Sequence, residues 1–148
     1  MPAIRVSIVS GDRMFREVLT MLVSANEGLE VVSLDAEAVD AAAGAEVEDG
    51  VDVVLIDAAY DPKLALARLR AVRDRWTAAE AVVLGVEQED ERVVDFVEAG
   101  AHSCVLQGTS PEGLLSAVRE VYDRRSPSSP RVLTAVLRRI NSLPGVLS

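Results

Sequence analysis

Lysine is almost missing from this chain. Lys63 is the only one in 148 residues, against fourteen arginines (15 basic residues less that lysine). Chemistry that needs an ammonium group must find it at position 63 or do without. Cysteine and histidine are as scarce, with Cys104 and His102 the sole examples. One cysteine excludes an internal disulfide, and one of each argues against a zinc site. Aromatic residues make up only 3% although 49% of the chain is hydrophobic, so the core must be aliphatic. No apolar run approaches a membrane span, and no basic-then-apolar leader opens the chain, so a soluble cytoplasmic protein with no membrane partner is expected. Basic charge is also in deficit, at a net −9. Gripping a nucleic-acid backbone takes clustered Lys and Arg, and this segment alone does not supply them.

What is present is an alternation of short apolar runs and helical patterns. Strands are expected at residues 4–9 (IRVSIV), 29–34 (LEVVSL), 51–56, 81–86 (AVVLGV) and 103–106. Helices are expected at 13–25, 36–45, 63–75, 90–99 and 111–124. In the first helix Phe15, Leu19 and Leu22 share a face; in the third, Leu64, Leu66, Leu69 and Val72 supply the apolar residues. Asp61 before Pro62, and Ser110 before Pro111, are helix starts: an N-cap acceptor followed by proline at the first helical position. Nearly continuous apolar strands alternating with helices imply a parallel sheet covered on both faces, whose ligands gather at the carboxyl ends of the strands. Asp57, directly after the run 51–56, sits at such an end, and Asp61 relieves it of any capping duty.

After Arg125 comes a polar linker, SPSSP at 126–130, then an amphipathic helix at 131–140 carrying Val132, Leu133, Val136, Leu137 and Ile140. Two units follow: a domain over 1–125, and a linker with its helix over 126–148.

The stretches IRVSIVSGDRMFREVLTMLV, LEVVSLDA, DVVLID, FVEAGAHSCVLQGTSPEGLLSAVREV and SPRVLTAVLRRI, in this order, resemble the receiver domain of NarL/FixJ-type bacterial response regulators. The resemblance runs from about residue 4 to 140. It implies a doubly wound, flavodoxin-like (CheY-like) α/β fold with a five-stranded parallel sheet and a C-terminal linker helix. It also implies a phosphoacceptor aspartate at position 57. Around it such receivers place an acidic pair that holds Mg²⁺, a Thr or Ser ending the fourth strand, a Lys ending the fifth, and an aromatic residue within the fifth. A transferring phosphoryl group spreads charge over its oxygens, and the protein's part is to supply position and cations.

This sequence departs from that pattern nearly everywhere. Ser10 and Gly11 stand where the acidic pair is expected, and Asp12 reads as the cap of the first helix. Gly85 has no hydroxyl, Gln107 no charge, and Cys104 no ring. Lys63 is six residues past Asp57 and cannot serve at the fifth strand. The loop AAYDP lacks the usual Met-Pro-Gly. The expectation is a degenerate site in which Asp57 accepts hydrogen bonds from nearby backbone N–H groups or from Ser10, with no catalytic residue, metal or cofactor. As a partly exposed strand-end group, Asp57 should cost about 1 kcal/mol or less on replacement by alanine.

The remaining singular residues read plainly: His102 as exposed or satisfied, Cys104 as a small buried hydrophobe, Trp76 as packing at a helix end. The acidic run 87–91 reads as a solvated helix entry or a partner contact. The expected function is an atypical pseudo-receiver, a non-enzymatic signalling and dimerisation module. DNA would be bound only through a separate helix-turn-helix domain not present in this chain. A homodimer is expected, since receivers of this type often pair through the first and last core helices or through neighbouring faces: the first helix offers Met14, Arg16, Glu17 and Met21, the last Arg119, Tyr122, Arg124 and Arg125, and the linker helix adds its apolar stripe. Two alternatives stay open: a conventional receiver phosphorylated on Asp57, and a receiver-like domain whose vacated pocket takes a small molecule. A small α/β enzyme is disfavoured, since no nucleophile–base pair or glycine-rich phosphate loop is present.

Overall fold

A computed structural model describes residues 3–32, 50–76, 78–87 and 92–124. The expected helix at 36–45, most of the acidic run 87–91 and the linker with its helix at 126–148 lie outside them. Five strands are found among the described residues: β1 (Ile4–Val9), β2 (Leu29–Val31), β3 (Val53–Asp57), β4 (Glu80–Val86) and β5 (Ser103–Leu106). Four helices join them among the described residues: α1 (Arg13–Ser24), α2 (Pro62–Arg75), α3 (Arg92–Glu98) and α4 (Pro111–Asp123). Of the second strand expected at 29–34, Leu29–Val31 pair with β1 and Val32 adds one bond to the Val6 carbonyl, while residues 33–34 lie outside the described residues.

All pairings are parallel, in the order β2-β1-β3-β4-β5. Alternate side chains of each strand point to opposite faces, and both faces are apolar. Val54 and Ile56 of β3 join Val83, Leu69, Val72, Trp76 and Phe96 in one core, under α2 and α3. Val53 and Leu55 join Val6, Ile8, Leu19, Val23, Leu115 and Val118 in the other, under α1 and α4. Phe15, Leu22 and Tyr122 pack at its margin.

The caps follow the sequence. Asp12 Oδ1 accepts from the N–H groups of Met14 and Phe15, Asp61 Oδ1 from Leu64, and Ser110 Oγ from Gly113, each satisfying donors that a helix start leaves open. One stripe needs correcting. On α2 the buried face is Ala65, Arg68, Leu69 and Val72, while Leu66 is only partly buried and Leu64 is exposed. The outer face assigned to α4 changes too: Tyr122 packs against the core, and Arg124 donates to the His102 carbonyl at 3.0 Å.

The topology fixes where a site belongs. The chain leaves β1 toward β2 on one side and β3 toward β4 on the other, so a crevice opens between the carboxyl ends of β1 and β3. Ser10 and Asp57 stand at those ends.

Candidate functional site

Asp57 belongs to β3 itself, in register with Leu84 of β4, and is only 8% exposed. The expectation of a partly exposed carboxylate is corrected: neighbouring strands and the following loop enclose it. The predicted partners are both there. Ser10 Oγ donates to Asp57 Oδ2 at 2.9 Å, and the Ala59 N–H donates to Oδ1 at 2.9 Å. Ser10 Oγ also lies 3.4 Å from the Asp12 carbonyl, but a hydroxyl has one proton and the shorter, charge-assisted contact takes it. The Asp12 N–H in turn donates to Ser10 Oγ at 3.1 Å. A chain of hydrogen bonds thus runs from the start of α1 through Ser10 to Asp57.

In front of this chain lies a cavity of about 390 Å³, lined by Gly11, Asp12, Asp57, Tyr60, Asp61, Leu64 and Arg68. Gly85 and Gln107 are not among its walls. They line a second cavity of about 20 Å³ together with Ala58, Ala59, Phe96 and others, room for roughly one water molecule. The two sets of positions expected to converge on one phosphoryl group therefore open into different spaces.

Gly85 explains part of this. Its φ is +74°, the β4–β5 ladder shifts register between Leu84 and Val86, and a Cβ built at Gly85 would stand 2.7 Å from the Ala59 Cβ. The bulge brings the strand backbone against the loop after Asp57, where only glycine fits without strain. Position 85 lacks more than a hydroxyl; it lacks the backbone geometry and the space for one. Gln107 is exposed at the end of β5, its N–H bonded to the Val86 carbonyl. Cys104 is buried in the strand beside it.

The family's Mg²⁺ would need several oxygen ligands in near-octahedral order. Position 11 offers no side chain, and one carboxylate oxygen of Asp12 is committed to the α1 cap. No group of three or more His, Cys, Asp or Glu able to share an ion exists among the described residues. The residues present do not fit the metal.

Sequence reasoning missed Arg68 and Tyr60 as walls of this cavity. Arg68 was legible in principle: it lies three residues after Ala65 and one before Leu69, on the face the helix buries. A charge on that stripe marks a buried cation.

Away from the crevice, His102 is satisfied on both sides. Its Nδ1 accepts from the Ala81 N–H at 2.9 Å, and its Nε2 lies 2.9 Å from a Glu80 carboxylate oxygen. With Nδ1 occupied as an acceptor, the ring is neutral and donates through Nε2–H. Burial, then the positive charges of Arg73 and Arg124, lower its pKa to about 4. Trp76 is buried at the end of α2, as expected.

A doubly wound parallel sheet in this order, with an aspartate at its switch point, defines a receiver-type domain. No family model matches the chain. It is 28% identical to the response regulator protein VraR of Staphylococcus epidermidis over 93% of its own length and 66% of that protein's. With the nitrate/nitrite response regulator protein NarP of Escherichia coli it shares 31% identity over 78% of its length, spanning 53% of the relative. A CheY-like receiver domain protein from Methanospirillum hungatei superimposes with a TM-score of 0.69 at 20% identity, over 86% of this chain and 99% of that one. The chain's homologues are thus NarL/LuxR-family response regulators, and its fold is that of their receiver domain. It spans just under two thirds of the first of these relatives and about half of the second. None of the described helices is long and apolar enough to cross a membrane.

Proposed function

We propose that this receiver is a pseudo-receiver: a non-enzymatic, cytoplasmic module that signals through its own packing and assembly rather than through phosphorylation of Asp57. The observation that carries the reading is the glycine bulge at position 85, whose backbone conformation and contact with Ala59 leave no room for the hydroxyl-bearing side chain that such receivers use there. A phosphoryl group on Asp57 would be a second anion without the metal, the strand-four hydroxyl and the strand-five ammonium that receivers of this type ordinarily supply.

Assembly is the remaining means of control. Met14, Val18 and Met21 form an exposed apolar stripe along α1, 76%, 56% and 73% accessible. Single exposed hydrophobes are unremarkable, but three at helical spacing on one face suit a partner, and methionine adapts to a partner surface. The partner in this reading is a second copy of the chain. The dimer presents a DNA-binding helix-turn-helix output domain carried elsewhere in the full regulator. Sedimentation at micromolar concentration, with and without beryllofluoride and Mg²⁺, tests this. A dimer in both conditions, weakened by Met14→Glu and Met21→Glu together, is expected; a monomer that pairs only with beryllofluoride sinks it.

The cavity before Asp57 supports a second reading, in which a small molecule sets the dimer. A ligand screen by thermal shift separates the two: stabilisation lost on Tyr60→Ala, a residue 90% exposed that lines the cavity, favours the sensor.

A further inference from the structure

The structure assigns Arg68 a role that goes beyond this reading and deepens it: a resident cation of the Asp57 pocket, standing where a divalent metal would act and keeping metal out. Arg68 is 8% exposed on the inner face of α2. Arginine is almost never buried to that extent unless carboxylates or other acceptors surround it. Its guanidinium reaches the loop that follows β1. A Cβ at Gly11 would lie 3.8 and 3.9 Å from the two terminal nitrogens, ordinary van der Waals contact. A side chain at position 11 would therefore start beside the guanidinium without clashing with it. Asp12, Asp57 and Asp61 line the same cavity as Arg68, the one buried arginine or lysine among the described residues.

The physical consequence is competition. A dication entering this cavity would stand near the guanidinium, and two cations a few ångströms apart repel strongly at the low effective dielectric of a partly enclosed site. The cavity carries a cation of its own. This accounts for the tolerance of Ser10-Gly11 where two acids would be expected: with Arg68 in place, a full acidic cradle is not required to balance a metal that never arrives.

The test uses the full chain and Mn²⁺, followed by water proton relaxation. Wild type and Arg68→Lys should show no Mn²⁺ site that depends on Asp57, so Asp57→Asn leaves the titration unchanged. Gly11→Asp restores one acid and, by the distances above, fits; its carboxylate should pair with Arg68 and bind Mn²⁺ no better. Gly11→Asp with Arg68→Met should gain a site at least tenfold tighter than Gly11→Asp alone, abolished by Asp57→Asn. Equal binding in the single and double variants, or an Asp57-dependent site in wild type, overturns the assignment. Arg68→Gln replaces Arg68→Met if the latter does not fold, and if neither folds the wild-type comparison decides by the same criterion. Failure of the pseudo-receiver reading is distinguishable. Phosphorylation of Asp57 by acetyl phosphate without any need for Mg²⁺ would end that reading and leave the role of Arg68 standing. Phosphorylation that requires Mg²⁺ would end both.

Discussion

Replacing Gly85 with threonine would return a hydroxyl to the end of the fourth strand, and the fold should resist it. Two costs add. At φ +74° a β-branched residue sits in the left-handed region, a strain of about 1–3 kcal/mol. Its Cβ would also meet the Ala59 Cβ at 2.7 Å and the Ala59 backbone at 3.2 Å, an overpacking worth about 1–3 kcal/mol more. The total, roughly 2–6 kcal/mol, is a large share of the ~5–15 kcal/mol that stabilises a typical domain. Urea unfolding should therefore show a midpoint lower by roughly 1–3 M for a slope near 2 kcal/mol/M, with the slope unchanged. Gly85→Ala should fall at the lower end, since it carries the Cβ but no branch. Ala59→Gly in the Gly85→Ala background should recover part of the packing cost and none of the backbone strain. A Gly85→Thr variant within about 0.5 kcal/mol of wild type would refute the reasoning, because the bulge would then be free to flatten and position 85 would not be closed to a hydroxyl.

Three further outcomes follow from the same geometry. Asp57→Ala should cost about 1–3 kcal/mol in the same denaturation assay, because it orphans the Ser10 hydroxyl and the Ala59 N–H in a buried place; a change near zero would mean that water replaces the carboxylate freely. Leu55→Ala, which empties a fully buried position between the helices α1 and α4 and the sheet, should cost about 2–5 kcal/mol, and a loss below 1 kcal/mol would show a core able to collapse. His102 should make stability depend on pH: with its folded pKa lowered to about 4 against 6.5, the unfolded chain takes the proton first. Its contribution is complete above pH 6.5 and is lost as pH falls toward 4, up to about 3 kcal/mol at 1.36 kcal/mol per unit, and His102→Asn should flatten that part of the curve.

Much of this structure was legible in the residues, and the reasons are local. The runs at 4–9 and 51–56 have only one way to bury both faces, and the acceptor-then-proline starts at Asp61 and Ser110 need nothing beyond their own turn. Ser10 as a partner of Asp57 followed from placing both at neighbouring strand ends. What escaped depends on tertiary packing. The φ of Gly85 is set by the loop it touches, so the sequence showed a missing hydroxyl but not the missing space. Asp57 is more enclosed than a strand end suggests because β3 continues through it and Ala58 bonds back to Leu84. On α2, Leu64 and Leu66 drew attention from the true buried stripe, whose second member is a charge. Tyr122 and Arg124 were placed outside because their partners, the core margin and the His102 carbonyl, are distant in sequence.

The most direct test of the central claim is the intact mass of the full chain after incubation with acetyl phosphate and Mg²⁺, beside Asp57→Asn. The account predicts an unmodified wild-type protein, indistinguishable in this respect from the variant. A wild-type chain that gains a phosphoryl group, with the gain abolished in Asp57→Asn, would contradict it and return Asp57 to the role of a working phosphoacceptor.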